Sequence, residues 1–147
     1  MTKPTLLNSL SGLALIALVA APALAQGNVR EALGTPTATL TPAIRVGNMV
    51  YASGQLGTRR DAPDSTIEGQ TRIALENTKR VLEMAGTTLN RSVRCTVFLI
   101  EASDFRGMNS VWTEFWPQSP PARSTVVVKA LVVPSAKVEI ECMAVMP

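Results

Sequence analysis

PPARSTVVVKALVVPSAKVEIECMAV, residues 120–145, is the stretch from which the fold reads most directly. A rigid Pro120-Pro121 pair leads into an arginine, a run of β-branched residues follows, and the segment closes on glutamates alternating with apolar residues. β-Branched side chains pack well on a pleated surface, so the pattern predicts two strands around a short loop. In the second strand, alternation puts Glu139 and Glu141 on one face and Val138, Ile140 and Cys142 on the other. One face is packed and the other polar. Arg123 follows the stiff proline pair closely enough for its planar guanidinium to be aimed at a carboxylate. The same residues also fit an ordinary surface arginine and the solvated face of a strand, and alternation alone does not separate the two.

Upstream, residues 43–56 (AIRVGNMVYASGQL) hold two short apolar runs around Gly47-Asn48, a hairpin signal because both residues tolerate the positive φ of such turns. The second run ends at Ser53-Gly54-Gln55, where a glycine lets a neighbour or ligand approach the backbone closely. Residues 27–38 read as a lead-in with at most a short edge strand, and residues 57–65 as a polar loop. The clearest helix spans residues 67–85: Ala74, Thr78, Val81 and Ala85 share a face with Leu75 and Leu82, Glu76 and Arg80 are spaced to pair outside, and Gly86 ends it. Residues 93–100, VRCTVFLI, predict a largely buried strand. Ser103 or Asp104 is the expected cap of a second helix, whose Phe105, Met108, Trp112 and Phe115 form a core stripe that Pro117 terminates. The whole predicts an α+β fold, a mixed sheet with both helices packed on one face. The other face carries the two glutamates, open to water or to another subunit.

The chain starts with the three parts of a secretory signal peptide: Lys3, an apolar core over residues 13–21, and the small-residue ending Ala23-Leu24-Ala25. Cleavage after Ala25 predicts a periplasmic or secreted protein, with no membrane segment once the leader is gone; the alternative is an uncleaved anchor, against which the apolar core is shorter than the ~20 residues a bilayer span needs. Residues 26–147 then form a single domain. Losing Lys3 lowers the net charge from +3 to +2, too little to argue for nucleic acid, and the arginines form no basic run interleaved with aromatics. The chain has no histidine, so the usual base of a serine triad and the commonest zinc ligand are missing. Any chemistry falls to carboxylates, hydroxyls and backbone groups. Cys95 and Cys142, the two cysteines, lie in predicted strands; they are either a disulfide or two buried thiols.

Over residues 40–145 the chain resembles the Rid (reactive intermediate deaminase, YjgF-like) family. The matching pieces are Ser53-Gly54-Gln55, Gln70-Thr71-Arg72-Ile73-Ala74-Leu75-Glu76-Asn77, Thr96-Val97-Phe98-Leu99, Asp104-Phe105 with Met108-Asn109, Pro121-Ala122-Arg123-Ser124 and Val138-Glu139-Ile140-Glu141. The resemblance implies a chorismate-mutase-like fold, a homotrimer with sites between subunits, and hydrolysis of 2-imino or enamino acids, such as 2-iminobutanoate and 2-iminopropanoate, to 2-keto acids and ammonia. No metal or organic cofactor is implied. It assigns Arg123 to the carboxylate of a small substrate, with help from Ser124 and Thr125, and Glu139 to acid/base catalysis on the attacking water and departing nitrogen. Ser53, Gly54 and Asn109 would line the cleft, and Glu141 would be structural. Two positions depart from the family: Leu40 stands where deaminating members commonly carry a tyrosine, and Thr125 where many carry cysteine. These departures fit an alternative, a catalytically silent trimer that binds small carboxylates in the same cleft.

Overall fold

A computed structural model describes residues 29–59 and 64–147; the leader with its cleavage point, and part of the polar loop before the first helix, lie outside the described residues. A short edge strand, β1 (Arg30–Leu33), pairs antiparallel with β2 (Ala43–Val46), and β2 with β3 (Met49–Ala52). Gly47 takes the positive φ of 58° that the expected hairpin turn requires. β4 (Gln55–Leu56) is a two-residue strand the alternation did not reveal. Both β3 and β4 pair with β7 (Val138–Val145), but Tyr51 faces Met143 while Gln55 faces Ile140. Four steps on one side answer three on the other, and the surplus residue bends the chain at Ser53-Gly54.

α1 (Ile67–Met84) fills its predicted span, and Gly86, at φ 84°, follows its end. Thr66 caps it, its hydroxyl accepting from the Gly69 N–H. Arg80 bonds to Asn77 rather than to Glu76, and the i,i+4 ion pair on this helix is Lys79 with Glu83, at 3.8 Å. β5 (Ser92–Leu99) follows, then α2 (Phe105–Phe115). Asp104 stands at the N-cap position of α2, as one of the two expected caps, but without a side-chain capping bond. A 3-10 turn over Ala102–Asp104 precedes it, and Asp104 already has helical dihedrals, so its carboxylate makes no capping bond. In the predicted stripe Met108 and Trp112 are buried with Val111, but Phe105 is exposed.

β6 (Ala122–Val127) and β7 are the two strands expected from residues 120–145, yet they are not neighbours. The order is β1-β2-β3-β7-β5-β6, with β5 between them, parallel to β6 and antiparallel to β7. The ten residues 128–137 therefore form a crossing loop rather than a hairpin turn. Val138, Ile140, Cys142 and Ala144 of β7 are fully buried against the helices together with Cys95, Val97 and Leu99 of β5. Their neighbours Glu139, Glu141, Thr96 and Phe98 face the side no helix covers. The expected architecture, a mixed sheet with two helices on one face, is the observed one.

Cys95 and Cys142 are register partners on β5 and β7, with Cα atoms 4.1 Å apart, and they form a disulfide in the core. It closes a 47-residue separation, so most of its stabilisation comes from restricting the unfolded chain. We expect the double variant Cys95→Ala/Cys142→Ala to lose about 2 to 4 kcal/mol in urea unfolding. An unchanged unfolding midpoint would contradict that account.

Candidate functional site

Arg123 lies on β6 as the register partner of Cys95, and residues paired across adjacent strands project to the same face. Its side chain therefore runs to the helix side, where α2 holds it. The Nη2 group donates to Asn109 Oδ1 at 2.7 Å, Nη1 approaches Met108 Sδ at 3.7 Å, and the guanidinium carbon lies 4.5 Å from the Trp112 ring centroid and 5.9 Å from that of Phe105. A planar cation on an aromatic face gains electrostatic attraction from the ring and loses little freedom when it binds. Burial pushes the Arg123 pKa down from its ordinary value, but an arginine in a protein stays charged. The exposure of Phe105 becomes intelligible: it forms a wall of the arginine site instead of core.

Glu139 projects from the opposite face of the sheet, two strands away. There Gly54 makes room for it: a Cβ on that residue would sit 2.0 Å from Glu139 Oε1. Desolvation first, and the charge of Glu141 second, raise the Glu139 pKa above the ordinary glutamate value. The segment leading into Glu139 is fixed by a residue that sequence reasoning had placed only in a motif. Gln70, buried inside α1, donates from Nε2 to the carbonyls of Asp64 and Ser135 at 2.8 and 2.9 Å, and its Oε1 accepts from the Lys137 N–H at 2.7 Å. Its amide thus ties the loop before α1 to the loop before β7.

The sequence-predicted residues consequently fall into two groups within a chain. Arg123 and Asn109 stand together, with Thr125 on the same face; the Thr125 hydroxyl is buried and has no hydrogen-bond partner among the described residues. Gly54 and Glu139 stand together elsewhere. Ser53 adjoins them, but its hydroxyl is committed to the Thr41 carbonyl at 2.7 Å. Ser124 turns to the face opposite Arg123, 3.4 Å from the Arg94 guanidinium. Arg123 thus presents a guanidinium held by α2 on one face of the sheet and Glu139 a desolvated carboxyl group on the other, and no single chain brings them together.

A mixed sheet carrying two helices on one face, a stacked arginine and a desolvated glutamate defines a class of small α+β proteins. Comparison narrows the class. The family model described as Endoribonuclease L-PSP matches residues 30–146, and the chain belongs to that family, known also as the Rid or YjgF family. Protein mmf2, mitochondrial, of Schizosaccharomyces pombe is 37% identical over 105 residues, covering 69% of this chain and 83% of the relative. A Dermatophagoides farinae protein named 2-iminobutanoate/2-iminopropanoate deaminase is 35% identical over 113 residues, covering 75% and 88%. Among solved structures, RidA from an Antarctic Psychrobacter superposes with a TM-score of 0.72 at 35% identity, over 80% of this chain and all of that one.

Gln70→Leu tests the clamp. It removes the partner of the Lys137 N–H and of two carbonyls; an unpaired buried polar group costs about 1 to 3 kcal/mol, and because Ser135 is exposed and Asp64 and Lys137 are half-buried, water offsets part of the sum. Urea unfolding of this variant should show a loss of about 2 to 4 kcal/mol; a stability within error of the parent would mean that water replaces the amide without cost.

Proposed function

We propose that this chain is an exported, homotrimeric hydrolase that converts 2-imino or enamino acids to 2-keto acids and ammonia, with Arg123 of one subunit and Glu139 of another meeting at each seam. One observation carries the reading: each half is built for its task, yet the halves lie on opposite faces of one sheet. A site split in this way works only when two copies share it. The deaminase names borne by relatives agree with the chemistry.

The reaction needs little more than these groups. Arg123, pinned by Asn109 and Trp112, presents its remaining N–H donors to the substrate carboxylate. The protonated C=N carbon is electrophilic already. Ionised Glu139 takes a proton from water as its oxygen bonds to that carbon, giving a tetrahedral carbinolamine. The glutamic acid then returns the proton to nitrogen, the C–N bond breaks to release ammonia, and the new hydroxyl passes its proton to that ammonia as the C=O forms. The products are 2-keto acid and ammonium, and Glu139 ends as it began. Positioning supplies most of the acceleration. The core disulfide favours an oxidising compartment, which supports export together with the leader.

A second reading, a silent carboxylate-binding trimer, draws on Leu40, exposed where the family commonly has tyrosine. Kinetics separates the two. The mature protein, given 2-iminopropanoate generated in situ, should accelerate keto-acid release. Arg123→Ala should weaken substrate capture by roughly 2 to 4 kcal/mol, and Glu139→Gln should lower kcat about 100- to 10,000-fold. No acceleration by the parent protein ends the deaminase reading.

The pH profile supplies a second check. Because ionised Glu139 is the base, kcat should rise with pH through a limb placed above the ordinary glutamate range. Glu141→Gln removes the neighbouring negative charge and should move that limb to lower pH. A limb that stays in place would dissociate it from Glu139.

A further inference from the structure

The side of Glu139 turned toward the loop 128–137 opens on a pocket of about 260 Å3. Its walls are Phe98 from β5 and Val128, Ala130, Leu131 and Val132 from the loop, and its polar lining is Glu139 and Glu141. Val132, 87% exposed, leaves its side chain accessible at the pocket's rim. The walls are held in place. Val128 N–H donates to the Leu99 carbonyl at 2.8 Å, Ala136 N–H to the Val133 carbonyl at 2.9 Å, and the Gln70 clamp holds Ser135 and Lys137. Neither lysine of this loop lines the pocket: Lys129 lies in a separate one with Ile100 and Pro134, and the Lys137 ammonium is 3.7 Å from the Asp104 carboxylate.

We propose that this pocket is a subsite for the substrate side chain, and that the protein selects 2-keto and 2-imino acids with branched aliphatic or aromatic side chains. The inference rests on the composite-site reading, in which the reacting carbon lies beside Glu139 and the carboxylate on Arg123; the third substituent is then left facing the apolar walls. An apolar group there gains by leaving water, in proportion to the area it buries. An acidic side chain meets Glu141 with no cation in the lining to offset it. A basic side chain would have to bring its charge out of water against the apolar walls, a desolvation cost that pairing with the half-exposed Glu141 offsets only in part.

Binding of stable 2-keto acids tests the subsite without requiring turnover. In calorimetry on the assembled mature protein, 4-methyl-2-oxopentanoate should bind about tenfold or more tightly than pyruvate, and 2-oxoglutarate more weakly than either. Leu131→Ser should erase the preference for 4-methyl-2-oxopentanoate over pyruvate, and Val132→Ser gives a second route if the first variant does not fold. Equal affinities, tighter binding of 2-oxoglutarate or 5-guanidino-2-oxopentanoate, no binding of any keto acid, or a preference that survives both variants would each overturn the subsite. The parallel hydrolysis assay keeps the two claims apart. Preference without hydrolysis upholds the subsite and defeats the deaminase reading, whereas hydrolysis without preference does the reverse.

Discussion

The cation of Arg123 rests on the Trp112 ring, and that contact fixes the direction in which its remaining donors point. Strand geometry does the rest. Because β6, β5 and β7 are in register, an arginine beside the buried Cys95 must share its face, and a glutamate between buried Val138 and Ile140 must take the other. No rotamer change carries either side chain through a packed sheet. A chain folded this way holds the two groups apart, and in the proposed trimer it is assembly that would turn them into a site.

Each half is prepared at modest cost. The arginine keeps one edge for Asn109 and the aromatic face for Trp112, so much of the freedom a bound carboxylate would remove is already gone. The glutamate occupies space vacated by a missing Cβ at Gly54, beside an apolar wall that raises its proton affinity. Gln70 and the cross-strand disulfide hold the framework between them, one through three hydrogen bonds and the other covalently. An electrophilic iminium asks for orientation and one proton-transfer group, which is what such an arrangement offers.

Much of this was legible in the residues because it is local. The 3.6 period gave α1 its span, Gly47-Asn48 gave the hairpin, and alternation alone separated Glu139 from Ile140. What escaped was set by partners distant in sequence. That β5 lies between β6 and β7 follows from a parallel crossover through α2, and without that register neither the disulfide nor the opposed faces of Arg123 and Glu139 can be read. The short β4 exists only through its pairing with β7. The clamp at Gln70 joins segments more than sixty residues away, so a polar residue on the buried face of α1 was its only local trace. At α2 the residue types suited a cap, but the 3-10 turn had already given Asp104 helical dihedrals.

The account stands most directly on subunit complementation. Arg123→Ala and Glu139→Gln chains, each inactive alone, would be dissociated, mixed in equal amounts and reassembled, then assayed for imine hydrolysis. If each site takes its arginine and its glutamate from different chains, random assembly restores both groups at about a quarter of the seams, and activity should return to a comparable fraction of the parent. Mixed assemblies that form but remain as inactive as their components would contradict a site shared between copies.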